Sequence, residues 1–327
     1  MIRDPLYGGK PPEIPGLHHV TAITGDAAGN VLFYTRVLGM RLVKRTVNQD
    51  DINAYHLFYG DDEGHPGSEL TFFHWPKAGP NRPGAGTVSR VSLAVPGPEA
   101  LRWWHQRLGT MGVAHGPILE RNGHTECAFS DPEGQRLALV SAPGSEERWG
   151  RPWTSGPVPT EHAVRGLYGV TLEVPDLGSS VAFATEHLGF RVRIPGRVLE
   201  SGAGGAGTVV ELDEVADPGQ PGIGGVHHVA FRTPDDVTQE RWLRRLAQIS
   251  VPHSPIIDRF YFRSLYFREA GGVLFEIATD GPGFGVDETA EELGRGLSLP
   301  PFLEPHRAAI ERSLPPLSPP EPVQGGH

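Results

Sequence analysis

The chain has 327 residues, a net charge of −10 and one cysteine, Cys127. That length supports two domains, while an acidic balance without a basic block argues against nucleic acid and anionic membrane as partners. A lone cysteine rules out an internal disulfide framework, and neither a membrane-length apolar run nor a signal-peptide core is visible, so a soluble cytoplasmic protein is expected.

Four similar units follow one another. The first, about Ile14 to Trp75, opens on Leu17-His18-His19-Val20-Thr21-Ala22-Ile23-Thr24, which reads as a strand. Asp26 begins a helical run from Val31 to Leu38 that Gly39 stops. Alternating strands at Tyr55–Tyr59 and Glu69–Phe73 flank the turn Asp61-Asp62-Glu63-Gly64.

The second unit, about Thr87 to Val140, has Val91–Val95 as first strand and Arg136–Val140 as last, with Leu101, Trp104 and Leu108 on the helix between. A Pro/Gly/Ser-rich stretch from Ala142 to Thr160 reads as the connection between domains. The third unit, about Val164 to Val215, repeats the first at an offset of 150: Phe33, Thr35, Leu38, Gly39 and Arg41 recur as Phe183, Thr185, Leu188, Gly189 and Arg191.

The fourth unit, Pro221 to Asp280, contains a strand at Val226–Phe231, a helical pattern from Val237 to Ile249 and a strand at Gly271–Ile277. Glu276 points to the opposite face from Phe275 and Ile277, and burying a carboxylate there is costly unless it is paired or bound to a metal. Taken alone, a satisfied core histidine and a salt-bridged glutamate explain this segment as well as a metal site does. A second observation separates the two. Leu17–Thr24 and Val226–Thr233 both begin with His-His-Val on their second residue, at an offset of 209. With Glu276 they supply two histidines and one carboxylate, the ligand set that holds Fe(II) with open positions.

The fold expected is α+β: four βαβββ modules in two domains, with the metal cup formed by modules one and four. Residues 1–145 carry modules one and two, 146–161 the linker, 162–282 modules three and four, and 283–327 a tail. In the tail Glu304 to Leu314 reads as a helix and Pro315 to His327 as disordered.

Such modules, with candidate ligands on first and last strands, resemble the vicinal oxygen chelate superfamily of glyoxalases and extradiol dioxygenases. A closer resemblance, to ring-cleaving dioxygenases of hydroquinones, is carried by six motifs. They are Gly16-Leu-His-His-Val-Thr21, Leu42-Val-Lys-Arg-Thr46, Tyr55-His-Leu-Phe-Tyr-Gly60, Asp258-Arg-Phe-Tyr-Phe-Arg-Ser-Leu-Tyr266, Gly271-Gly-Val-Leu-Phe-Glu276 and Leu299-Pro-Pro-Phe-Leu-Glu-Pro-His-Arg307. The resemblance implies His19, His228 and Glu276 as ligands of Fe(II), with Mn(II) as the alternative, and a small aromatic substrate and O2 as partners. Oligomeric state is left open. It also implies that His18, Thr21, Arg259 and Tyr266 face substrate or oxygen. A regular pleat turns His18 away from His19, so either the strand bulges or His18 acts from behind the ligand. Alternative activities are a catechol 2,3-type extradiol dioxygenase, a glyoxalase-type metal-dependent lyase or isomerase, and a non-catalytic ligand-binding member.

Two expectations follow from the repeat. Laid on Glu276, the last strand of unit one puts Phe72 in the fourth ligand position, where it cannot coordinate. Units two and three must then build a second cup, whose equivalent positions are Arg90, Ala138, Gly169 and Glu211. Arg90 and Glu211 are expected within about 6 Å of each other, an ion pair in place of a metal. His56 and His74 read as structural, and Cys127 as core.

Overall fold

A computed structural model describes residues 10–143 and 151–317. Module one comprises β1 (Leu17–Thr24), α1 (Ala27–Leu32), β2 (Arg41–Asn48), β3 (Asp51–Gly60) and β4 (Glu69–His74). Module two comprises β5 (Thr87–Val95), α2 (Pro98–Thr110), β6 (His115–Arg121), β7 (His124–Ser130) and β8 (Arg136–Ser141). Module three has β9 (Gly166–Val174), α3 (Leu177–Ala182), β10 (Arg191–Ile194), β11 (Val198–Glu200) and β12 (Val209–Glu214). Module four has β13 (Gly225–Thr233), α4 (Asp236–Gln248), β14 (Ile257–Asp258), β15 (Arg263–Arg268) and β16 (Leu274–Thr279). Gly271–Val273, read as the start of the last strand, instead lie in the turn leading into it, where Gly272 takes φ 98°.

The repeat between modules one and three extends to local geometry. Asp26 and Asp176 each accept a hydrogen bond from the backbone three residues on, capping α1 and α3. Both helices run into a π turn, Phe33–Val37 and Phe183–His187. The shared threonines, Thr35 and Thr185, donate their hydroxyls back to the carbonyls of Val31 and Val181. Gly39 and Gly189 then reverse the chain at φ 65° and 76°, a conformation that favours glycine.

Two eight-stranded sheets result, ordered β14-β15-β16-β13-β1-β4-β3-β2 and β10-β11-β12-β9-β5-β8-β7-β6. Each takes one module from either half of the chain: modules one and four join through antiparallel β1 and β13, modules two and three through β5 and β9. Helix faces pack on the sheets around a large apolar core, with Trp104 of α2 and Trp242 of α4 fully buried. The Glu304–Leu314 stretch divides into a 3₁₀ turn and α5 (Arg307–Ser313). Within the tail, Tyr55 donates to the carbonyl of Pro315 and Arg45 to that of Leu317, which fastens these residues to module one. The expected disorder of 318–327 and part of the 146–161 linker lie outside the described residues.

Candidate metal centre

Pairing of β1 with β13, and of β13 with β16, brings His19, His228 and Glu276 together from opposite ends of the chain. Their facing atoms form a tight triangle. His19 Nε2 lies 3.2 Å from His228 Nε2 and 3.4 Å from Glu276 Oε2, and His228 Nε2 lies 2.9 Å from the same oxygen. All three side chains are buried, Glu276 completely. Apart from these two imidazole nitrogens, neither carboxylate oxygen of Glu276 has a polar partner among the described residues. A buried carboxylate converging with two imidazole nitrogens fits a divalent cation, which compensates the burial of its charge. Burial pushes Glu276 up, yet the adjacent histidines, His19 first, outweigh it and hold the carboxyl well below its usual range.

Each ligand histidine is oriented by the histidine before it. His19 Nδ1 is 3.0 Å from His18 Nδ1, and His228 Nδ1 is 2.8 Å from His227 Nδ1. A metal on Nε2 of His19 and His228 would leave the proton on Nδ1 to be donated, so that His18 and His227 would accept it and carry their own protons on Nε2. For His18 that proton goes to the carbonyl of Thr279 at 3.1 Å. Burial, followed by the neighbouring ligand histidine, lowers both outer histidines to a pKa of about 3 and keeps them neutral.

At His18 the β1/β13 register slips between Leu17 and His19, and its ring lies against that of His19. A second convergent group, His18, His19 and Glu69, shares His19 with the triad. Glu69 lies 3.9 Å from His18, and burial raises its carboxyl well above the usual range.

The fourth ligand position belongs to Thr71, not Phe72. Glu276 pairs with Ala230, two residues beyond His228; two residues beyond His19 is Thr21, which pairs with Thr71. Phe72 points the other way, into the core against Tyr34 at 4.6 Å between ring centroids. The one-residue difference flips the face and replaces an apolar ring with a hydroxyl. That hydroxyl lies 2.8 Å from Thr21 Oγ1 and 2.9 Å from His56 Nε2.

A small cleft opens beside the triad. Phe58, Phe73, Tyr261 and Phe262 give it aromatic walls, and Asn48, Gln49, Asp50 and Arg259 line it with polar groups. Tyr266, on β15, sits edge-on to His228 at 5.6 Å, and burial, then Glu276, pushes its phenol up so that it keeps its proton. Arg259 follows β14 in a connection rather than on a strand; its guanidinium lies 5.8 Å from the Tyr266 ring. Thus Arg259 and Tyr266 border the cleft, whereas His18 and Thr21 stand outside its lining, Thr21 touching it through Thr71 and His56.

His56, read as structural, lines the cleft between Phe58 and Phe73, at 3.9 and 4.5 Å from their ring centroids. The alternation of His56 and Phe58 along one strand was the available signal. Asp50 is the other unanticipated group; nothing local marks a hairpin aspartate as part of a cleft.

In the second sheet Arg90 and Glu211 meet at 3.1 Å, as expected, but within a larger cluster. Arg90 also holds Glu126 at 2.8 Å, Arg121 approaches Glu211 at 3.4 Å, and His124 pairs with Glu126 at 3.0 Å. Thr171 pairs with Glu211 as Thr21 pairs with Thr71, so the two cups correspond residue by residue.

Known proteins share this arrangement of chain. MhqA of Bacillus subtilis, provisionally named a ring-cleaving dioxygenase, is 44% identical over 93% of this chain and 99% of its own. The chlorohydroquinone/hydroquinone 1,2-dioxygenase of Sphingobium indicum is 33% identical over 93% of this chain and 97% of its own. A crystal structure from Bacillus subtilis, provisionally named a dioxygenase, superposes with a TM-score of 0.88 at 40% identity, covering 94% of this chain and 99% of that one. The profile of one family matches residues 16–139 and 166–277, and the chain belongs to it: the Glyoxalase/Bleomycin resistance protein/Dioxygenase superfamily.

Proposed function

We propose that the protein is an Fe(II)-dependent ring-cleaving dioxygenase acting on a hydroquinone, with His19, His228 and Glu276 as the metal ligands. The observation that carries this reading is the buried triad beside an aromatic-walled cleft, in a chain related to a hydroquinone 1,2-dioxygenase over nearly its whole length. Thr71 supports it: at the fourth position stands a neutral hydroxyl already engaged by Thr21 and His56, where a glyoxalase-type lyase would want another ligand.

When bound, the metal supplies open coordination positions and lowers the pKa of a phenol attached to it. Phe58, Phe73 and Phe262 give the ring apolar contact and exclude water. Tyr266, holding its proton, donates a hydrogen bond towards the reacting oxygen and is the proton source for the opened product. Arg259, over the Tyr266 ring, steadies it. His18 and His227 hold the ligand imidazoles in one tautomer. The ring bond beside a hydroxyl-bearing carbon breaks and both atoms of O2 enter the product, so para-hydroquinone becomes a hydroxymuconic semialdehyde without a further oxidant.

The test is anaerobic loading with Fe(II), metal analysis, and oxygen uptake with a panel of hydroquinones and catechols. Glu276→Gln should lose iron retention and oxygen uptake together; full uptake in that variant overturns the assignment. Faster uptake with catechols than with any hydroquinone would move the substrate to the ortho-diol class.

A further inference from the structure

We propose that Asp50 sets which rings the cleft accepts: by occupying the guanidinium of Arg259 it excludes dihydroxylated aromatics that carry a ring carboxylate, leaving neutral, apolar-substituted rings as substrates. This rests on the cleft being the substrate site of the proposed dioxygenase.

Arg259 is the one arginine or lysine among the described residues lining the cleft. Its two terminal nitrogens meet the two oxygens of Asp50 at 3.0 and 2.7 Å, a bidentate pair across the end of the guanidinium. The pair joins the β2–β3 connection of module one to the β14–β15 connection of module four, and Gln49 donates to the carbonyl of Arg259 across the same junction. Arg259 is only 15% exposed and Asp50 71%, so the cation belongs to the cleft and the anion reaches it from the rim.

A ring carboxylate reaching this wall of the cleft meets the negative Asp50, and no side-chain cation other than the one Asp50 already holds lines the cleft. His56 does not supply one, because burial, with His19 and His228 nearby, keeps it neutral. To bind the end of the Arg259 guanidinium the substrate must displace a carboxylate tethered on the facing connection, an intramolecular competitor. A methyl or halogen substituent meets no such barrier, since Phe58, Phe73 and Phe262 present apolar surface.

The experiment compares methylhydroquinone with 2,5-dihydroxybenzoate on Fe(II)-loaded protein, by oxygen uptake and, anaerobically, by calorimetric titration. In Asp50→Asn the preference for the carboxylated ring, as the ratio of kcat/KM values and of affinities, should rise about tenfold or more. Asp50→Ser should do the same, and adding Arg259→Gln to either should return the ratio to the wild-type value. An unchanged ratio, or a gain that persists without Arg259, overturns the proposal. If no ring supports oxygen uptake, the dioxygenase reading falls while the titration still decides Asp50: tighter 2,5-dihydroxybenzoate in Asp50→Asn supports its role, and unchanged binding, or none, rejects it.

Discussion

His18 Nδ1 stands 3.0 Å from His19 Nδ1, and 209 residues later His227 and His228 repeat the contact at 2.8 Å. The doubled histidine is therefore one device used twice: the second imidazole reaches the metal position and the first fixes its tautomer. His18 is itself tied to the Thr279 carbonyl, on the strand that carries Glu276. The orientation of one ligand thus depends on the backbone that supplies another.

Outer partners of ligating histidines typically carry about 10–100-fold in metal affinity. His18→Phe, which removes both hydrogen bonds, should weaken divalent-metal binding by about that factor. His18→Asn should fall between the variant and wild type. Competition against a chelator reads this directly, and wild-type affinity in His18→Phe would remove His18 from the site's design.

Thr71 faces Thr21 in the register that Glu276 takes with Ala230. Thr71→Glu should put a second carboxylate at the triad. The expected result is tighter metal retention during dialysis together with at least about tenfold slower oxygen uptake, because an open position is filled. Thr71→Val is the control for loss of the hydroxyl alone and should not tighten the metal.

The triad was legible before any coordinates because two signals were redundant: His-His-Val occurs twice, and Glu276 interrupts an apolar strand. Modules one and three were legible for a similar reason, a shared Phe-Thr-Leu-Gly-Arg spacing that encodes a capped helix, a π turn and a glycine reversal. What was not legible depended on register. Phe72 and Thr71 are adjacent, and only the observed pairing of β1 with β4 says which faces the metal position. Asp50 and Arg259 meet across 209 residues through two connections of no regular structure, where periodicity carries no information. His56 lies between, since its alternation with Phe58 was readable but the cleft it faces was not.

In the second cup Arg90 lies between Glu126 and Glu211, at 2.8 and 3.1 Å, with both carboxylates nearly out of contact with solvent. Its guanidinium bridges two carboxylates at the position that corresponds to the His19–His228–Glu276 triad of the first cup. Removing one partner of such a cluster strands the others, at a cost of about 3–5 kcal/mol. Arg90→Met should lower stability by that amount, read as a drop in the urea midpoint, while the metal affinity of the other sheet stays at the wild-type level.

Acid should destabilise the metal-free protein from about pH 6.5 downward, the value of an unperturbed histidine. His18 and His227 are lowered to about 3, and His56 well below its ordinary value, each chiefly by burial. The folded chain therefore binds fewer protons than the unfolded chain at these sites. Their contribution is fully present above the unfolded pKa and is lost as pH falls towards the folded values. Each such group adds about 1.4 kcal/mol per pH unit to the slope of stability where the unfolded form is protonated and the folded form is not. His56→Phe, which keeps an aromatic ring between Phe58 and Phe73, should make the slope between pH 5.5 and 4.5 shallower by about that amount. Urea unfolding of both proteins across this range measures it. Equal slopes would mean that His56 takes up a proton in the folded state, and the cleft would then hold a second cation beside Arg259.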